Sequence, residues 1–212
     1  MKNTIIFNNK IVFKQGETLT FFLHENLDFK IESKIFSAQT LGKIQVYLKN
    51  LKFKKKKEKI ISFDISEENK VLFIIVKKKL VSNNFEELGA NFYSFIKTNK
   101  IDKVNLYADT LKSFKSNKKN TKLILNFIHG FNLKSYSFDK YKTQNKNIFY
   151  FLLKIISSEK TSLNNNYFRY KAIESGVFQT RDLVSEPPNI LYPKKYVLIV
   201  FLIMVDLIYM LI

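Results

Sequence analysis

His24 and His129 are the two histidines of this sequence, and the side chains best suited to move a proton near neutral pH. His24 closes an apolar run, and His129 sits beside the apolar face of a helical stretch. Neither has a carboxylate or a second histidine at ligand spacing, so both read as packed or surface residues. The pairs Glu67-Glu68 and Glu86-Glu87 read as a turn and a helix start, not as an acid/base dyad. Gly16, Gly42, Gly89, Gly130 and Gly176 lie too far apart for a glycine-rich phosphate loop. No GxSxG, HExxH or CxxC occurs. Cysteine is absent, which excludes a disulfide framework and a thiolate metal site. The run "FKKKKEK" at residues 53–59 could hold phosphate, but no aromatics interleave with its lysines as stacking on single strands requires. It reads as a solvated loop between strands. Direct inspection therefore finds no catalytic constellation.

The formal charge is +18, from 36 basic and 18 acidic residues. Such a balance draws a chain towards nucleic acid or anionic membranes. Only Arg169 and Arg181 are arginines, however, and nucleic-acid readers favour the bidentate arginine fork. Scarce glycine with abundant Asn, Ile, Phe and Lys matches AT-rich codon usage, so nucleic acid is disfavoured as a partner. The opening "MKNTIIFNNKIVF" has no long apolar region and no small-residue cleavage site, which argues against a secretory signal. Apolar residues make up 46% of the chain, enough for a sizeable core.

These residues need a scaffold, and hydrophobic periodicity supplies its outline. "IIFNNKIVF" and "LTFF" are short strand-like runs. "KIQVYLKN" alternates, with Ile44, Val46 and Leu48 predicted on one face of a half-buried strand. "KIISFDI" and "KVLFIIVKK" follow, split by the turn-like "SEEN". The second is apolar on both faces from Val71 to Val76, as an inner strand should be. Helical spacing then takes over: Phe85, Leu88, Phe92, Phe95 and Ile96 share a face, with Asn83 and Glu86 placed to cap. "KVNLYA" reads as a strand. Ile124, Phe127, Ile128 and Phe131 mark a second helix. "NIFYFLLKII" is another buried strand, "SSEKTSLNNN" a polar loop. A longer helix over residues 167–184 follows, with Tyr170, Ile173, Val177, Arg181 and Val184 on one face, and Pro187-Pro188 ends it. Strands first, then alternating helix and strand, imply a mixed α/β sheet with helices on its faces.

Two stretches are more specific than composition. "HGFNLKSYSFDKYKT" contains Gly130, Leu133, Tyr136, Phe138, Tyr141 and Lys142, in a pattern similar to G-L-x-L-x-x-Y-x-F-x-x-Y-K. "TRDLVSEPPNILYP" contains Arg181, Asp182, Leu183, Val184, Glu186, Pro187, Asn189, Leu191 and Pro193, similar to A-R-D-L-V-N-E-P-x-N-x-L-x-P. In this order and at about this distance the two resemble the leucine (cytosol) aminopeptidase family. Ser185 stands for the usual Asn and Pro188 for the usual Ala, and "IIVKKK" occupies a strand end that usually carries glycine.

The resemblance implies an α/β fold: a macro-domain-like mixed sheet with helices on both faces, followed by a connecting helix and an apolar C-terminal tail. It divides the chain into an N-terminal domain at residues 1–160, a connecting helix with the first residues of the catalytic domain at 161–195, and a tail at 196–212. It assigns structural roles to Gly130, Tyr136, Phe138, Tyr141, Lys142, Arg181, Asp182, Glu186, Pro187, Asn189 and Pro193. Gly130 would let its helix approach a neighbour closely, with the aromatics anchoring the exit of the chain. The full-length family uses two divalent metals, Zn or Mn, held by Lys, Asp and Glu in glycine-rich motifs that follow the N-x-L-x-P stretch. No positions here receive those ligands, so neither catalytic residues nor cofactor are assigned to this chain.

The expected function follows: a truncated leucyl-aminopeptidase-like protein, inactive alone, in the cytoplasm. Its expected partners are itself, as in the family's hexamers, or a separately encoded catalytic half. The tail at 196–212 leaves alternatives open. Its abrupt hydrophobicity reads as a shifted reading frame. A membrane anchor is the alternative, because roughly 17 residues is the lower limit for a span. In that reading the protein is a basic, tail-anchored, membrane-associated binder.

Overall fold

Five short apolar runs of this sequence become parallel strands of one sheet, and a sixth joins it antiparallel. The computed structural model describes residues 3–10, 14–29, 35–53, 59–67, 69–77, 82–114, 120–143 and 149–209. The strands are β1 (Thr4–Asn8), β2 (Thr18–His24), β3 (Ile60–Asp64), β4 (Lys70–Val76), β5 (Lys103–Tyr107) and β6 (Leu152–Ile156), in the spatial order β1-β6-β5-β2-β4-β3. Among the described strands only β3, paired with β4, runs antiparallel. The helices are α1 (Ala38–Phe53), α2 (Ser82–Thr98), α3 (Asn120–Ser135), α4 (Lys160–Ser185) and α5 (Pro193–Tyr209), with a 3₁₀ segment at Ala108–Phe114.

Strand alternation sorts the core into two layers. Leu19, Phe21, Val71 and Phe73 point to one face and bury Ile44 and Leu48 of α1 with Phe29 and Phe36. Phe22, Leu72, Ile74, Leu106, Leu153 and Ile155 point to the other and meet α2 and α3. β4 is thus the doubly covered inner strand that its uninterrupted apolar run predicts.

One prediction from periodicity fails. "KIQVYLKN" belongs to α1, not to a strand. Ile44 and Leu48 are fully buried while Val46 is 58% exposed. Positions 44 and 48 satisfy a helical i, i+4 step as well as strand alternation, and the partly buried Leu41 and Leu51 complete the helical stripe. A second difference lies at "SSEKTSLNNN". Most of it forms the first turns of α4, where Leu163 is fully buried against the core.

α2 and α3 touch backbone to backbone. A Cβ on Gly89 would lie 1.9 Å from the carbonyl oxygen of Phe127, and one on Gly130 would lie 1.9 Å from that of Glu86. The two glycines are reciprocal contact points, and no side chain fits at either. Around the crossing, Phe92 packs on Phe127 and Phe131, with ring centroids 5.7 and 6.0 Å apart, and Phe131 meets Phe151 edge-on at 4.9 Å.

Across the sheet on the α1 side, Glu17 is 5% exposed. It accepts from Lys154 Nζ at 2.5 Å and Asn105 Nδ2 at 2.7 Å. Burial, the largest single influence, pushes its carboxyl up; the bonds from Lys154 and Asn105 together outweigh it and hold the carboxyl below its ordinary value. The contact ties the start of β2 to β5 and β6.

Gly130→Ala should destabilise the chain by about 3 kcal/mol or more, because the helices cannot separate without opening the aromatic core. Thermal melting of the variant checks this. Lys154→Met should cost about 3 kcal/mol, the lower end for leaving a buried carboxylate unpaired. A Glu17→Gln, Lys154→Met double variant should recover part of that loss in chemical denaturation.

Candidate functional site

The two sequence stretches with specific spacing meet in space. α3 ends at Ser135, and the chain then passes along the last turns of α4. Arg181 Nη1 donates to the Leu133 carbonyl at 2.7 Å and its guanidinium lies 5.4 Å from the Tyr136 ring centre. The Tyr136 hydroxyl donates to Asp182 Oδ1 at 2.8 Å, and its ring packs on Phe178 at 5.4 Å. One turn further, Glu186 is gripped by Lys140 Nζ at 2.6 Å and by the Tyr141 hydroxyl. Phe138 packs against Tyr141 with centroids 5.8 Å apart, and Lys142 Nζ pairs with Asp139 Oδ1 at 2.5 Å.

The same residues stop α4. The Glu186 N–H donates to the Asp182 carbonyl at 3.1 Å, and Glu186 itself is extended, with ψ 134°. The Pro187 carbonyl then accepts from Ile190 and Leu191, both at 2.9 Å. Pro193 opens α5, where its missing N–H costs nothing. Asn189 is exposed in this turn. Gly130 lies elsewhere, at the α2–α3 crossing.

Charge contributes to this clasp. The bond from Lys140, then that from Tyr141, holds the Glu186 carboxyl below its ordinary value. The same Glu186 bond raises Lys140 and is the first cause of the raised Tyr141. Desolvation, then the Asp182 bond, raises Tyr136.

A second polar contact holds the middle of α4 to α3. Glu174 is 3% exposed. Its carboxylate meets His129 Nδ1 at 3.0 Å, Asn132 Nδ2 at 2.8 Å and the Tyr167 hydroxyl at 3.4 Å. Burial, then the Glu174 charge, pushes Tyr167 up. The Tyr170 hydroxyl donates to Asn126 Oδ1 at 2.8 Å. Sequence inspection missed this seam, because Glu174 is 45 residues from His129 and 42 from Asn132. The available signal was helical: His129 and Asn132 are one turn apart, as are Tyr167, Tyr170 and Glu174 in succession. Of the predicted apolar face of α4, Tyr170, Val177 and Arg181 are partly buried, whereas Ile173 is 47% and Val184 81% exposed.

The remaining candidates are dispersed. His24 Nδ1 accepts from the Asn26 N–H at 3.3 Å, a local turn contact. Glu87 pairs with Lys59 at 2.7 Å on the surface. Residues 54–58 of the lysine run, and Glu68, lie outside the described residues. Among the described residues no group of three or more His, Asp or Glu side chains is placed to hold a metal ion. Nor is any helix among them long and apolar enough to cross a membrane.

The match to a known family includes the first of the two stretches and ends before α4. Residues 18–145, more than half of the chain, match the cytosol aminopeptidase family, N-terminal domain. The chain belongs to the cytosol aminopeptidase family. The probable cytosol aminopeptidase of Rickettsia bellii is 32% identical over 126 residues, which cover 57% of this chain and 24% of that protein. Across the curated relatives compared, the chain spans between 14% and 24% of their length. Among solved structures, a mutant of tomato leucine aminopeptidase superposes with a TM-score of 0.71 at 16% identity, over 92% of this chain and 40% of that one. The bottromycin maturation enzyme BotP in complex with Mn gives 0.58 at 11% identity, over 85% and 34%. The α/β body is therefore the aminopeptidase N-terminal fold, and its mixed sheet with helices on both faces is the one the sequence resemblance implies.

Glu186→Gln tests the clasp through pH. A carboxyl held below its ordinary 4.5 contributes stability that is present above that value and lost as pH falls through the folded pKa. Lys140, raised above its ordinary 10.5, contributes below that value and loses it as pH rises through the folded pKa. The native chain should therefore lose melting temperature more steeply than Glu186→Gln on acidification below about pH 4.5, as followed by circular dichroism.

Proposed function

We propose that these 212 residues act as the non-catalytic, positioning module of a cytosol-aminopeptidase-like protein and do not hydrolyse peptides by themselves. The observation that supports this most is the clasp: both specific sequence stretches are spent on fixing where α4 ends and in which direction the chain leaves it. That is the task of a connector, and Arg181, Asp182 and Glu186 are each engaged across it. In this reading residues 1–160 are the N-terminal domain, 161–195 the connector and 196–212 a tail outside the family pattern. Two divalent cations clamping a peptide carbonyl and activating water would supply the family's chemistry. The described residues do not fit such a pair, so no step is assigned to them. The naming of its relatives as cytosol aminopeptidases favours a cytoplasmic setting. Leucyl-anilide hydrolysis by the purified chain with added manganese or zinc should stay at the buffer rate. Metal-dependent turnover that follows the protein through purification would refute the reading.

A second reading has its own support. Tyr196, Val197, Leu198, Phe201 and Leu202 of α5 are each about half exposed or more. Such an apolar surface favours association, either with another copy or with a separately encoded catalytic half. Copurification of the chain with a co-expressed aminopeptidase catalytic domain would support it, and failure to copurify would count against it.

A further inference from the structure

The sheet has two edges, and they are protected differently. β3 carries Asp64, which pairs with Lys70 at 3.7 Å. β1, "TIIFN", has neither a charge nor a proline, the usual guards of an edge strand. Its inner side is bonded to β6: the Thr4 N–H donates to the Phe151 carbonyl at 3.0 Å, and the Asn8 carbonyl accepts from the Ser157 N–H at 2.9 Å. Backbone groups alternate sides along a strand, so Thr4, Ile6 and Asn8 face β6. Ile5 and Phe7 therefore turn their N–H and C=O groups outward. No described strand pairs on that side.

A trough follows this edge beneath α4. One cavity of about 680 Å³ runs along Ile5, Ile6 and Phe7 opposite Asn164, Asn165 and Phe168. A second, of about 450 Å³, shares Ile5, Tyr167 and Lys171 with it and reaches the end of α3. Ile6 is 40% and Phe168 76% exposed, so each bank offers an apolar anchor. Among the described residues, Lys171 and Glu174 are the charged ones lining the two cavities. Glu174 is already engaged by His129, Asn132 and Tyr167. Lys171 is exposed and pairs with no carboxylate among the described residues, which leaves the trough one uncompensated positive charge.

We propose that the free edge of β1 accepts an extended peptide segment of another protein as an added strand. The guest is apolar on alternate residues and carries an acidic side chain. Main-chain bonds to Ile5 and Phe7 supply the pairing, side chains on the α4 side meet Phe168 and Lys171, and those on the opposite side meet Ile6. The charge selects the occupant. A second copy would bring another +18, whereas an acidic segment is drawn in. This docking does not depend on whether the chain hydrolyses peptides.

Fluorescence anisotropy of the purified 212-residue chain tests it. The probe is a fluorescein-labelled nonapeptide alternating valine with glutamate and threonine. Saturable binding is expected, weakened about tenfold or more by Lys171→Glu and by Ile5→Pro, which removes an outward N–H and no bond to β6. N-methylation of one alternate set of probe amides should abolish binding, and of the other set leave it intact. That pair of probes uses the native chain, so it decides the matter even where Ile5→Pro fails to fold. Absence of saturable binding, equal effects of the two methylated sets, or binding indifferent to Lys171→Glu would overturn the proposal. Sedimentation showing the chain self-associated through this edge would overturn it as well, by giving the trough to a second copy.

Discussion

The helical layer rests on a place where two helices have no side chains between them. At Gly89 and Gly130 the backbones of α2 and α3 are in contact, and each glycine sits under a carbonyl of the other helix. Packing at ordinary interaxial distances, about 8–10 Å, would hold the pair apart and lift α3 off the sheet. The close crossing lets Phe92, Phe127 and Phe131 fill the space on either side. It also fixes which side of α3 is left for α4. Everything that α4 does, including the clasp at its end, inherits its position from that crossing.

The attachment of α4 is of another kind. Where α2 and α3 meet through apolar volume, α3 and α4 meet through Glu174, His129, Asn132, Tyr167 and Tyr170. Buried polar contacts of this sort add little net stability, because desolvation offsets most of the gain. They are demanding about geometry, however, since a shift of α4 by one residue would strand a carboxylate in a dry seam. The outer clasp at Arg181, Asp182 and Glu186 repeats the logic in a wetter setting. A long helix with much of its apolar surface facing solvent is thereby held in one register and aimed in one direction.

Most of this layering was legible before the structure. The doubly apolar "VLFIIV" suits an inner strand, and Phe85, Phe92 and Ile96 follow helical spacing. Gly130 was readable as a close-contact point through its place in a specific pattern, while Gly89 was not singled out. The reading failed where two periods coincide. Ile44 and Leu48 fit both a strand and a helix, and tertiary burial of Leu41 and Leu51 decided for the helix. It failed again at residues 160–166, where Ser and Asn suggested a loop; Leu163, one buried side chain, anchors the helix there. The Glu174 seam was invisible for a different reason. Its members lie on two helices, and the one-turn spacings within each helix do not say that the two faces meet.

The pairing of β1 with β6 carries a consequence for synthesis on the ribosome. The strand begun at Thr4 finds its neighbour only at Leu152. Until Leu152 has been made, β1 must therefore wait as an apolar, unsatisfied segment while the middle of the sheet assembles without it. Closing so long a loop adds little to the final free energy but slows folding. The interval is one in which a chaperone, or an unrelated strand, has first access to "TIIFN".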